Sequence, residues 1–352
     1  MKQSGLGKSI IIIFLLTISA NILNAQKNPN ITIFNTENSE IPDNVIRDIV
    51  IDKYGNKWMA TSGGLAKFDG KNWSVFDTTN SDIPANLLSS VTVDYYQNIW
   101  IATLTNGIAK FNPIADVGIN WEVFTTKNSP LPSDKTWSIK SDNNDNIWFC
   151  VGGKGIMRLV TTKKSGPEWI NYNYSNSKVG SNFVSGIYVD KEDVNGLTPK
   201  WFTPGGAGLV KYESNSWSFI NSSNSKLPED FIISFDIDEA GNHWIGAFPG
   251  IGLIKVRDTT WSFYNVVTSN IPANGASAIT HDSKGNIWFS AFEGDIENFM
   301  PRGLVKFDGK SFKHFDTDNS DLPTNDITVI KTEKDGTIWV GTNNGGLVRL
   351  KE

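Results

Sequence analysis

The 352 residues include 39% hydrophobic and 20% charged side chains, a balance that excludes a disordered or collagen-like chain and allows a packed core. Thirty-two Lys and Arg against 37 Asp and Glu give a formal charge of −5. With no positive excess to neutralise phosphates, neither nucleic acid nor an anionic membrane is an expected partner.

At the N-terminus, Lys2 and Lys8 precede the apolar run Ile10 to Ile18, and Leu23-Asn24-Ala25 offers a small residue at a cut before Gln26. Residues 1–25 read as a signal peptide, because the run is short for a membrane span and is interrupted by Thr17, Ser19 and Asn21. No Cys follows it for lipid attachment. The expectation is an exported protein, in the periplasm or outside the cell, with no membrane insertion after signal cleavage. Cys150 is the sole cysteine, so stability must come from packing and not from a disulfide.

From residue 26 onward the chain repeats. A Trp closes a glycine or polar turn at positions 58, 100, 148, 201, 244, 288 and 339, with a mean spacing near 47 residues, a period of propeller blades or helical solenoids. Thirteen Trp, 20 Phe and 31 Gly, together with period-two runs such as Val45 to Ile51, choose strands. Two residues after each Trp lies a small residue, Ala60, Ala102, Cys150, Thr203, Gly246, Ser290 or Gly341, which assigns Cys150 to a packed column.

A third strand begins with Gly in every copy, from Gly64-Leu65-Ala66-Lys67-Phe68 to Gly346-Leu347-Val348-Arg349-Leu350. Its recurring Lys or Arg reads as a structural, snorkelling column, since residues repeated once per blade lie on a ring and do not converge. A fourth strand follows six times, as in Trp73-Ser74-Val75-Phe76. The seventh copy stands at the other end of the chain, Ile31-Thr32-Ile33-Phe34, so the repeat is circularly offset. The expected fold is an all-β, seven-bladed β-propeller of four-stranded blades over residues 26–352, a single domain closed by an N-terminal strand that completes the last blade.

The unit Leu-Pro-x-Asn, Asp-x-x-Gly-Asn-Ile-Trp and Gly-Gly-Leu-x-Lys-Phe resembles the two-component regulator propeller repeat, over essentially all of residues 30–350. In that family such propellers commonly form extracytoplasmic sensor regions leading into a membrane helix and a histidine kinase. Here the sequence ends two residues after Leu350, and a free-standing propeller without those parts is the expectation. Gly-Asn-Ile-Trp-Phe at 285–289 is also similar to seven-bladed lyases of the streptogramin-inactivating kind, which pair a His base with a metal-bound Glu. The sequence offers no such His and Glu in corresponding turns of adjacent blades.

Catalytic constellations are scarce. His243, His281 and His314 belong to different strand positions, and no nucleophile motif or phosphate loop stands in a fitting context. The Asp-rich turns at 142–146 and 236–241 lack the terminal Glu of a calcium loop and read as Asx turns. No catalytic residue, metal or cofactor is assigned.

Departures from the repeat carry the binding expectation. Connections between second and third strands share a face with the starts of the first strands, and in blade six this connection holds an insertion at 292–302. Arg47, Trp137, Phe248, Phe292, Glu293, Asp295 and Arg302 are the candidate ligand-binding residues, aromatic rings beside polar groups suited to a glycan or a protein partner. The expected function is a monomeric binding, scaffold or sensor-type module. The alternative is a propeller lyase acting on a polysaccharide or a lactone.

Overall fold

The computed structural model describes residues 30–351 except 114–120, 192–197, 249 and 296; the expected signal peptide lies outside the described residues. All regular structure among the described residues is strand, in seven four-stranded antiparallel sheets. Blade one consists of Ile46–Ile51, Lys57–Thr61, Leu65–Phe68 and Trp73–Phe76. The next five blades repeat it in chain order. Blade seven comprises Ile327–Thr332, Ile338–Thr342 and Leu347–Leu350, and its fourth strand is Ile31–Phe34, paired from Ile31 with Leu350 to Phe34 with Leu347. The expected ring closure is therefore the observed one.

The core lies between blades. One apolar cluster joins Trp58, Ala60 and Leu65 of blade one to Leu88, Val91, Ile101 and Phe111 of blade two, and six more clusters fill the remaining interfaces. Second strands are buried on both faces, since each is sandwiched within its sheet and between neighbouring blades. The glycine opening each third strand has two reasons to be glycine. At Gly346, φ is +81°, and a Cβ there would lie 2.2 Å from the carbonyl oxygen of Phe34 in the closing strand.

All seven first strands, which line the central channel, carry a register shift near their start, between Ile46 and Asp48 in blade one and at the equivalent place in the others. Such a bulge puts two successive residues on one side of the strand. Arg47 and Asp48 consequently both line the channel.

Candidate functional site

Much of the recurring chemistry is structural. The acidic residue that opens each turn between first and second strands accepts a hydrogen bond from the indole N–H six or more residues on: Asp52 from Trp58 at 3.0 Å, Asp94 from Trp100 at 2.9 Å, Asp282 from Trp288 at 2.9 Å, with Glu333 and Trp339 completing the series at 2.6 Å. Asp282 also accepts from the backbone of Lys284 and Asn286 and from the Asn286 side chain. Burial would raise the Asp282 carboxyl, but these bonds hold it below its ordinary value. The Asp-rich turns at 142 and 238 work the same way. In the 236–241 segment, however, Asp236 is not part of the turn and faces the channel.

The Lys/Arg column stacks on the same tryptophans. Lys67 lies 5.3 Å from the centre of Trp58, Lys255 5.2 Å from Trp244 and Arg158 5.3 Å from Trp148, each a cation–π contact. In the last blade Arg349 sits over Phe34.

Two cavities, of about 360 and 290 Å³, occupy the channel and share Lys140, Ile187, Tyr188, Asp236 and Lys331. Lys140 pairs with Asp48 across the channel at 3.1 Å, and Ser90 donates its hydroxyl to the same carboxylate. Burial opposes the Asp48 charge, yet Lys140, Lys331 and the Ser90 bond keep its carboxyl below the usual range. Gly186 replaces the side chain found at this level in other blades because Tyr188 leans over it; a Cβ would meet the Tyr188 ring at 2.8 Å.

Toward the other mouth, His281 Nδ1 lies 2.7 Å from Asp236 and Nε2 lies 3.6 Å from Glu239. The Asp236 hydrogen bond outweighs burial and raises the His281 pKa. The sequence reading did not foresee this pairing between adjacent blades. His243 packs against Trp201 and Phe235, where burial lowers its pKa, and His314 contacts the Arg302 carbonyl. Cys150 is fully buried and its thiol pKa is pushed up by that burial. Among the described residues no three His, Cys, Asp or Glu side chains assemble into a metal-binding group.

On the face where first strands begin, aromatic rings form an arc over blades three to six. Trp137 lies 5.6 Å from Phe183, Phe183 and Phe231 flank Gly205, Phe231 lies 6.5 Å from Phe248, and Phe248 stacks on Phe292 at 5.0 Å. Phe299 continues it at 5.0 Å from Phe292. Phe183 and Phe299 are 51% and 43% exposed, so the arc presents ring surface to solvent.

The seven candidate residues thus divide. Arg47 and Trp137 line the channel mouth, Arg47 bonded to Ser62 at 3.2 Å and the Trp137 indole donating to the Val184 carbonyl at 2.6 Å. Phe248, Glu293, Asp295 and Arg302 lie outside the channel. The 292–302 insertion is an extension of the strand pair Ile287–Glu293 and Met300–Phe307, with Glu293 and Arg302 ion-paired at 2.5 Å and Asp295 accepting from the backbone of Glu297 and Asn298. Phe292 corrects the expectation: it is fully buried over Gly275, whose missing side chain makes its room, so it supports the hairpin and presents no ring to a ligand. Phe183, Phe231 and Phe299 were missed. Phe183 stands just before its first strand and Phe231 opens its own, where other blades have Val45, Lys135 or Asp326, and that column carries the signal.

Residues 321–344 match the family model described as "Two component regulator propeller". No curated protein matches the chain. Among solved structures, the extracellular domain of a hybrid two-component system of B. thetaiotaomicron superposes with a TM-score of 0.69 at 22% identity, over 91% of this chain and 41% of that one. PorZ of Porphyromonas gingivalis, a bacterial surface component of the type-IX secretion system, gives 0.63 at 16% identity, over 91% of this chain and 47% of that one. Virginiamycin B lyase of Staphylococcus aureus gives 0.65 at 13% identity, over 92% of this chain and 99% of that one. This chain spans about two fifths of the length of the two-component extracellular domain it matches. These likenesses share the fold, and the chain is a seven-bladed propeller whose last blade carries the two-component regulator propeller repeat.

Proposed function

We propose that the protein is an exported binding module of the sensor type, which recognises a glycan or a protein partner on the face bearing Arg47, Trp137 and the aromatic arc. The observation that carries this reading is the arc itself. The strand framework repeats sevenfold, whereas contacting rings on blades three to six, with Phe183 and Phe299 exposed and Trp137, Phe231 and Phe248 half-buried, break that symmetry on one face. Flat rings flanked by Arg47, Glu293 and Arg302 suit the apolar faces of sugars or side chains of a polypeptide, with polar groups at the rim for direction. Similarity to extracellular domains of two-component systems supports the sensor reading. The experiment is a binding screen of oligosaccharides and peptides with product analysis: retention without conversion supports the proposal, and failure of every probe to bind counts against it.

The lyase alternative has one specific observation in its favour, His281 beside Asp236 and Glu239 at the opposite mouth. Conversion of a polysaccharide or lactone that disappears in His281→Gln would replace the binding reading with the enzyme reading.

A further inference from the structure

Three charged side chains stand at one level of the channel, Lys140, Asp236 and Lys331, with Asp48 one level nearer the mouth. Two of these charges have counter-charges in contact with them, as Lys140 pairs with Asp48 at 3.1 Å and Asp236 lies 2.7 Å from His281. Lys331 differs. Asp48 and Asp236 attract its ammonium from a distance, but no carboxylate pairs with it among the described residues. Burial and repulsion from Lys140 press its pKa below the ordinary lysine value, the condition of a cation that lacks a partner.

The rest of the cavity has a definite chemistry. Ser89 and Thr328 donate their hydroxyls to the carbonyls of Thr136 and Ile46, which leaves their oxygens as acceptors. The half-buried Trp137 ring closes one side of the mouth. The volume of about 360 Å³ falls at the small end of ligand pockets, roughly 300–1,000 Å³. Asp48 and Asp236 disfavour a multiply charged anion, while one negative charge matches the Lys331 ammonium at the charged level, and Arg47, bonded to the Ser62 hydroxyl, adds a second cation at the mouth.

We infer that the channel mouth is a binding site for a small hydroxylated monocarboxylate, a sugar acid, whose carboxylate pairs with Lys331, whose hydroxyls donate to Ser89 and Thr328, and whose apolar face rests on Trp137. The site shares Trp137 with the near end of the aromatic arc but none of Phe183, Phe248 and Phe299, and it stands whether or not those rings bind a larger partner.

The test titrates the full chain with glucuronate, glucose and inorganic phosphate, by calorimetry and by melting. Wild-type protein should bind glucuronate and melt higher with it, and should bind glucose at least about tenfold more weakly, since a hydrogen bond to a charged group is at stake. Lys331→Met should lose the preference for glucuronate while melting no lower without ligand, because it removes an unpaired charge. Lys331→Arg should keep the preference. If Lys331→Met melts lower, Lys331→Gln supplies the same comparison. Phe299→Ala, at the end of the arc away from Trp137, should leave glucuronate binding unchanged, which keeps this site's outcome distinct from that of the arc. The assignment is overturned if Lys331→Met and Lys331→Gln bind glucuronate as wild type does, if phosphate binds as well as glucuronate, or if glucuronate does not bind at millimolar concentration.

Discussion

Phe34, in the first described strand, pairs with Leu347 in the last and stacks 6.2 Å from Trp339. The ring closes through this sheet, with Ile31 and Ile33 packed against a core that includes Ile338 and Val348. A chain starting at Asn38 should lose roughly 3–6 kcal/mol, from three partly buried apolar side chains at about 1–2 kcal/mol each. It should also associate through the open edge of Leu347–Leu350. Denaturant melts and light scattering check both.

The Asp282–Trp288 bond exemplifies the turn chemistry of all blades. Asp282→Ala leaves a buried indole donor and the Asn286 amide without their acceptor, and should cost about 1–3 kcal/mol in urea unfolding. Asp282 titrates below its ordinary value in the folded state, so its stabilisation is present above pH 3.8 and is lost as pH falls through the lower folded value. In Asp282→Ala that part of the acid loss should vanish.

His281 has the opposite sign. Its pKa is raised from 6.5 by Asp236 and Glu239, so the charged form stabilises the fold fully below that value, and the contribution disappears as pH rises through the raised folded value. Melting of the wild type relative to His281→Gln should therefore be higher on the acid side of 6.5 and converge above the folded pKa. A difference that grows with rising pH would contradict the pairing.

The 292–302 hairpin separates support from recognition. Phe292→Ala should cost about 3–5 kcal/mol, as for other fully buried phenylalanines. Phe299→Ala removes a ring that is 43% exposed and should change stability by about 1 kcal/mol or less while weakening partner binding. Thermal melts beside binding assays read the two effects apart.

Blade number, strand order and the N-terminal closure were legible because each rests on a local signal repeated seven times: Trp after the turn, Gly before the third strand, and one fourth strand out of place. The channel was less legible for a physical reason. Strict alternation from Arg47 leads to Ile49 and Ile51, both directed away from the channel into packing, whereas the bulge after Ile46 shifts the phase and brings Asp48 to the channel wall. The same shift brings Lys140, Asp236 and Lys331 inward, so a period-two reading passes over the charged level entirely. Phe292 was misjudged because its sequence position in an insertion suggested exposure, while the neighbouring Gly275 makes a slot that the sequence of blade six alone does not pair with it.

The central claim is recognition through the aromatic face, and its most direct measurement is a titration of wild type and Phe183→Ala/Phe299→Ala, side by side, with an oligosaccharide or peptide found to bind wild type. The account predicts a loss of about tenfold or more in affinity, as for interface aromatics, with a melting temperature lowered by no more than roughly a few degrees. Equal affinity in the two proteins would contradict it.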